Sequence, residues 1–86
     1  MATVIRPATA SDVALLDAAL RALSADLGDG HRATVADLRA AGFGPVPAFR
    51  ALLALDGDDA VGAAVFSPLY STTRGCPGTY VSDLWV

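Results

Sequence analysis

Lysine, glutamate, asparagine and glutamine do not occur in this 86-residue sequence, so all nine acids are aspartates and all six bases arginines, for a net charge of −3. The arginines are scattered from Arg6 to Arg74 without forming a patch. Nucleic-acid binding draws on clustered positive charge that displaces counterions from phosphates, so no nucleic-acid partner is expected. A single cysteine, Cys76, cannot close an internal disulfide, and with one histidine it cannot complete a four-ligand Cys/His zinc site. This cysteine usage fits a cytoplasmic chain. No apolar run approaches the roughly 18–20 residues of a membrane helix, so no membrane partner is expected. The opening Met1–Pro7 segment lacks a basic stretch followed by an apolar core, so it does not read as a secretory signal. Charged residues are scarce at 17% against 53% hydrophobic, the balance of a folded rather than a disordered chain. The length allows one domain, residues 1–86, with a modest core: a chain this short buries only about 60–65% of its unfolded surface.

Local patterns give an element order. Thr3–Arg6 reads as a short strand closed by Pro7, which has no N–H to donate. Thr9-Ala10-Ser11-Asp12 has the form of a helix-start box, in which the Thr hydroxyl can accept a backbone N–H three residues on. Val13, Leu16, Leu20, Leu23 and Leu27 follow at steps of 3, 4, 3 and 4, one face of a helix that Gly28 and Gly30 end. Asp17 and Arg21 sit four apart on its surface. Thr34-Val35-Ala36-Asp37 is a second box, opening a short helix with Gly42 placed for a left-handed cap. The loop Phe43–Pro47 leads into Ala48–Leu55, which the following Asp56-Gly57-Asp58-Asp59 turn marks as a strand, with Ala60–Phe66 its hairpin partner. Pro68 is expected to break that run, and Tyr70–Gly78 to form a loop. Tyr80–Val86 alternates as a strand. The class is α+β, in the order β-α-α-β-β-β.

That order, with these residues, resembles the N-terminal half of the GNAT N-acetyltransferase family, and within it the diamine (spermidine/spermine) branch. Val4-Ile5-Arg6-Pro7-Ala8-Thr9-Ala10-Ser11-Asp12 is similar to that branch's opening strand and helix start. Asp37-Leu38 followed by Gly42-Phe43-Gly44 is similar to its second helix and next loop. Val61–Phe66, Tyr70-Ser71-Thr72, Arg74-Gly75 and Tyr80–Val86 are similar to its third and fourth strands. The resemblance implies an antiparallel sheet cut off after strand four, ahead of the family's Arg/Gln-x-x-Gly-x-Gly/Ala loop. In the family that loop cradles the pyrophosphate of acetyl-CoA at a helix N-terminus.

The resemblance also implies site residues. Asp83 matches the aspartate of the polyamine branch's Glu-Asp pair, which holds a cationic amine and accepts its proton directly or through water. Ser82 stands where the glutamate would be, which weakens attraction for a polycation. Tyr70 and the Ser71–Arg74 stretch correspond to a connection that contributes to the acceptor pocket or to dimer contacts, and Trp85 could wall a substrate pocket. Leu84, Trp85 and Val86 match the strand end whose backbone lies beside the acetyl-pantetheine arm. The side chains of Leu84 and Val86 are also expected in core packing. His31 sits in a Gly-Asp-Gly-His loop with nothing paired to it by spacing, and reads as a solvated loop residue. The Asp56–Asp59 cluster lacks EF-hand spacing, so no metal is expected. Cys76 has no basic neighbour but Arg74, which argues against a nucleophile.

The expected function is therefore the N-terminal part of an acetyltransferase. The complete domain would move an acetyl group from acetyl-CoA, its cosubstrate, to a primary amine of diamine type or of an amino-acid side chain. The 86-residue chain alone is expected to be inactive. The rival is a non-enzymatic interaction module, a homodimer or a pairing with a second chain through the C-terminal strand. In a third reading a separate chain supplies the missing half.

Overall fold

The structure, a computed structural model, describes residues 2–86. Strand β1 spans Val4–Pro7, and a single 3-10 turn, Ala10–Asp12, leads into helix α1, Val13–Leu27. Helix α2 spans Val35–Phe43, followed by β2 (Arg50–Asp56), β3 (Asp59–Ser71) and β4 (Cys76–Trp85). The strands lie in the order β1-β2-β3-β4, each antiparallel to the next, so the expected order and sheet are both present.

Both helices cover one face of the sheet. Alternation along the strands turns Ala51, Leu53, Leu55, Ala63 and Val65 inward, against Val13, Leu16, Ala19 and Leu20 of α1 and Leu38 of α2. Val13, Leu16 and Leu53 are sealed from solvent. The predicted apolar stripe of α1 holds for its first half. Leu27 is 64% exposed, because the last turn lies outside the core cluster. Gly28, at φ +74°, then caps the helix in the left-handed region and donates its N–H to the Ala25 carbonyl.

The two start boxes differ. At α2 the Asp37 N–H donates to the Thr34 hydroxyl at 3.1 Å and the Thr34 N–H to the Asp37 carboxylate at 3.0 Å, which is the full reciprocal box. Ahead of α1 the Thr9 N–H donates to the Asp12 carboxylate at 2.7 Å and the Thr9 hydroxyl donates to it at 3.0 Å, while Arg6 holds the same carboxylate.

Four local expectations are corrected. Pro7 lies within β1, an edge strand where its missing N–H is tolerated. Pro68 does not end β3. It falls beyond Phe66, the partner of β2's first residue Arg50, so β3 has a neighbour on one side only at that point. The expected Tyr70–Gly78 loop is mostly strand, narrowed to a turn in which Gly75 takes φ +68° and donates to the Ser71 carbonyl at 2.7 Å. Gly42 is not the helix cap: α2 continues to Phe43, and Gly42 instead leaves room for the Phe49 ring, which would meet any Cβ there.

Candidate functional site

β3 and β4 stay in step from Ser71↔Cys76 to Phe66↔Val81 and then slip, so that Val65 pairs with Asp83. Ser82 is the additional residue, a bulge on the edge strand of the sheet. Bulges bend a strand and re-aim its side chains. Here the bulge returns Asp83 to the row of Ala51 and Val65, the face the helices cover. Ser82 Oγ lies 3.3 Å from the Val65 carbonyl and 3.0 Å from Asp83 Oδ2, so one hydroxyl hydrogen serves two acceptors and ties the carboxylate to the bulge.

Asp83 borders an open concavity of about 450 Å³ between the sheet and the α1–α2 loop. Ser67 and Ser82 line it from the sheet, Ser24 from α1, and His31 and Arg32 from the loop, over an apolar floor that includes Leu20, Leu38 and Phe49. Residues that carry a carboxylate, an imidazole, a guanidinium and three hydroxyls thus border one depression with an apolar floor, the usual composition of a small-molecule site.

His31 is where reading along the chain fell short. Its Nε2 lies 3.2 Å from Oδ1 of Asp17, and the two side chains are 12% and 13% exposed. Asp17 also accepts the expected bond from Arg21 Nε at 2.9 Å. Fourteen residues separate Asp17 from His31, too many for any helical or strand spacing to reveal. The available clue was Asp17 beside Leu16, at the border of the apolar stripe, with a glycine-bracketed loop able to fold back over it.

The other face of the sheet is apolar. Ile5, Leu52, Ala54, Ala64, Leu84 and Val86 border a shallow hollow of about 240 Å³ that runs across the sheet from β1 to β4. Leu84, Trp85 and Val86 come together at this hollow; the core packing expected of Leu84 and Val86 is corrected, since they are 63% and 95% exposed on the face the helices leave uncovered, and Trp85 is the one that packs against the core cluster. The resemblance leads to the expectation of an acetyl-pantetheine arm along this strand end, and the trough there is apolar. No arginine among the described residues lines the trough, so it offers no side-chain charge to the phosphates of acetyl-CoA. Of the four residues expected at the acceptor, Ser82 and Asp83 share the concavity and Trp85 lies at the trough. Tyr70 is exposed on the far part of β3, opposite Pro77 and outside both depressions.

A third polar cluster is structural. Asp12, 6% exposed, receives both Arg6 Nη atoms, at 2.7 and 2.9 Å, and the Thr9 N–H at 2.7 Å. The Arg6 guanidinium first and the Thr9 N–H second hold its carboxyl well below the usual carboxylate range.

No protein-family model matches the sequence, and no curated protein matches it. Solved structures do match. An aminoglycoside acetyltransferase from an uncultured soil metagenomic sample superposes with a TM-score of 0.75 at 24% identity, over 100% of this chain and 59% of its own. A ribosomal-protein-alanine N-acetyltransferase from Brucella melitensis biovar Abortus 2308 gives 0.70 at 22% identity, over 100% and 57%. A GNAT family acetyltransferase from Staphylococcus aureus gives 0.69 at 18%, over 100% and 63%. At such identities the likeness is one of fold. This chain spans 57% to 63% of the length of these three proteins.

Proposed function

We propose that this chain forms the acceptor side of a GNAT-type acetyltransferase, which moves an acetyl group from acetyl-CoA to a small primary amine. The observation that carries the reading is the bulge at Ser82, which turns Asp83 into the hydroxyl-lined concavity of a fold shared with acetyltransferases. An amine arrives as an ammonium ion. Asp83 attracts it, and the Ser24, Ser67 and Ser82 hydroxyls are placed to orient it. Once a proton leaves the nitrogen, its lone pair attacks the thioester carbonyl and the C–S bond breaks. The acetyl-pantetheine arm would run along the open edge of β4 beside Leu84, Trp85 and Val86. The remainder of the fold, present in the neighbours, would hold the phosphates.

The diamine acceptor is the finer possibility raised by the sequence. Ser82 in place of a second carboxylate, and Arg32 at the rim, both lower the attraction for a polycation. A single amine on a hydroxylated molecule suits three hydroxyls and one carboxylate better. Two of the structural neighbours are an aminoglycoside and a protein-alanine acetyltransferase, so the fold accommodates acceptors of differing chemistry.

A second reading, pairing with another copy or another chain, is favoured by the open β4 edge and by the exposure of Ile5, Leu84 and Val86 on one apolar face. Light scattering across a concentration series tests the pairing of two copies, and a constant monomer mass would end it. The acceptor reading is tested by titrating ethanolamine into the isotope-labelled chain. Amide signals of Ser67, Ser82 and Asp83 should move saturably, and Asp83→Asn should weaken binding by about tenfold, the loss of one charge-assisted bond. No movement at these residues refutes the reading.

A further inference from the structure

We propose that His31, held by Asp17, is the group that takes the proton from the acceptor amine. The inference rests on the acceptor-site reading and adds the identity of its base.

Four observations converge on it. First, a carboxylate can only accept, so the Nε2···Oδ1 contact at 3.2 Å places the ring hydrogen on Nε2 and leaves the lone pair on Nδ1. Second, Nδ1 has no partner among the described residues, and it is not sealed from water. Third, the ring lines the same concavity as Asp83 and Ser82, with its side chain only 12% exposed, so its orientation is held by packing as well as by Asp17. Fourth, the Asp83 carboxylate is already engaged by the Ser82 hydroxyl at 3.0 Å, whereas His31 Nδ1 has no such partner among the described residues.

The charges around the ring are mixed. Asp17 from α1, Asp83 from β4 and Arg32 in the loop are the charged residues around it. Arg21 is already tied to Asp17. Asp83 thus acts as the counter-charge that brings the ammonium in, and Asp17 is a positioning residue. In the transfer, R–NH3⁺ gives a proton to Nδ1 of neutral His31, leaving R–NH2 and imidazolium. The amine lone pair forms the C–N bond with the acetyl carbon of the thioester, and the C–S electrons leave with coenzyme A as thiolate. The second nitrogen proton passes to that thiolate, and His31 returns its own to water.

The sole histidine gives a single set of imidazole signals, so the test uses the intact chain. A long-range ¹H–¹⁵N spectrum reports which ring nitrogen carries the hydrogen. The expected result is the Nε2–H form in the native chain and loss of that preference in Asp17→Ala. Ethanolamine should then displace the Nδ1 resonance, whereas choline, which has the charge but no N–H, should not. An Nδ1–H form in the native chain overturns the proposal, and so does an equal response to choline. A silent ring with moving Ser82 and Asp83 amides overturns it and leaves the acceptor reading standing. Silence at all three positions defeats both.

Discussion

Replacing Asp12 by alanine should show how β1 is tied to the start of α1. Asp12 accepts four bonds: two from Arg6 at 2.7 and 2.9 Å, and two from Thr9, through N–H at 2.7 Å and through the hydroxyl at 3.0 Å. Its side chain is 8% exposed but that of Arg6 is 39% exposed, so the pair falls between a surface bridge, worth roughly 0.2–1 kcal/mol, and a buried one, roughly 3–5 kcal/mol when broken. Adding about 1 kcal/mol for the lost Thr9 N–H bond gives an expected loss of about 2–3 kcal/mol. Arg6→Ala should also destabilise, for a different reason: Arg6 freed of Asp12 can turn to water, whereas Asp12 freed of Arg6 stays buried. The double variant should lose less than the sum of the two, since each single change already breaks the same bonds.

The pH dependence has a definite sign. The carboxyl is lowered in the folded state from an ordinary 3.8, so its contribution is fully present above that value and fades as pH falls toward the native one. Urea unfolding followed by far-ultraviolet circular dichroism, at neutral pH and near pH 3, measures both quantities. The gap between native chain and Asp12→Ala should narrow in acid. A gap below about 0.5 kcal/mol at neutral pH would refute the reasoning, as would one that stays constant into acid.

Gly42→Ala should destabilise by about 1–2 kcal/mol although alanine is the better helix former, because the new methyl displaces the Phe49 ring from its edge-on contact with Phe43; thermal unfolding reads the sign. Thr34→Ala should cost about 1 kcal/mol by removing the acceptor for the Asp37 N–H, measurable by chemical denaturation. Gly28→Ala should cost about 1 kcal/mol through backbone strain alone, since nothing lies within 4 Å of an added Cβ; an unchanged midpoint would contradict the left-handed cap.

Much of the fold was legible because its signals are local. The apolar steps Val13, Leu16 and Leu20, the Thr34–Asp37 box and the Asp56–Asp59 turn each act within a few residues, and each appears where expected. The errors came where a neighbour decided the outcome. Pro68 is tolerated because β2 starts only at Arg50, which no window around Pro68 contains. Gly42 serves the Phe49 ring, seven residues on, instead of its own helix end. The candidate site divides the same way. The strand pattern and the family resemblance pointed to Ser82 and Asp83, while His31 was read as a loop residue without a partner.

By itself, then, the sequence determined the element order and the apolar face of α1, because hydrophobic periodicity and capping act over a few residues. It also set the net charge of −3. Only the tertiary structure placed the bulge at Ser82, the His31–Asp17 pair and the shared concavity. A bulge is set by the register between two strands, and a side-chain pair across fourteen residues by the path of the chain between them, and neither is encoded in any local period.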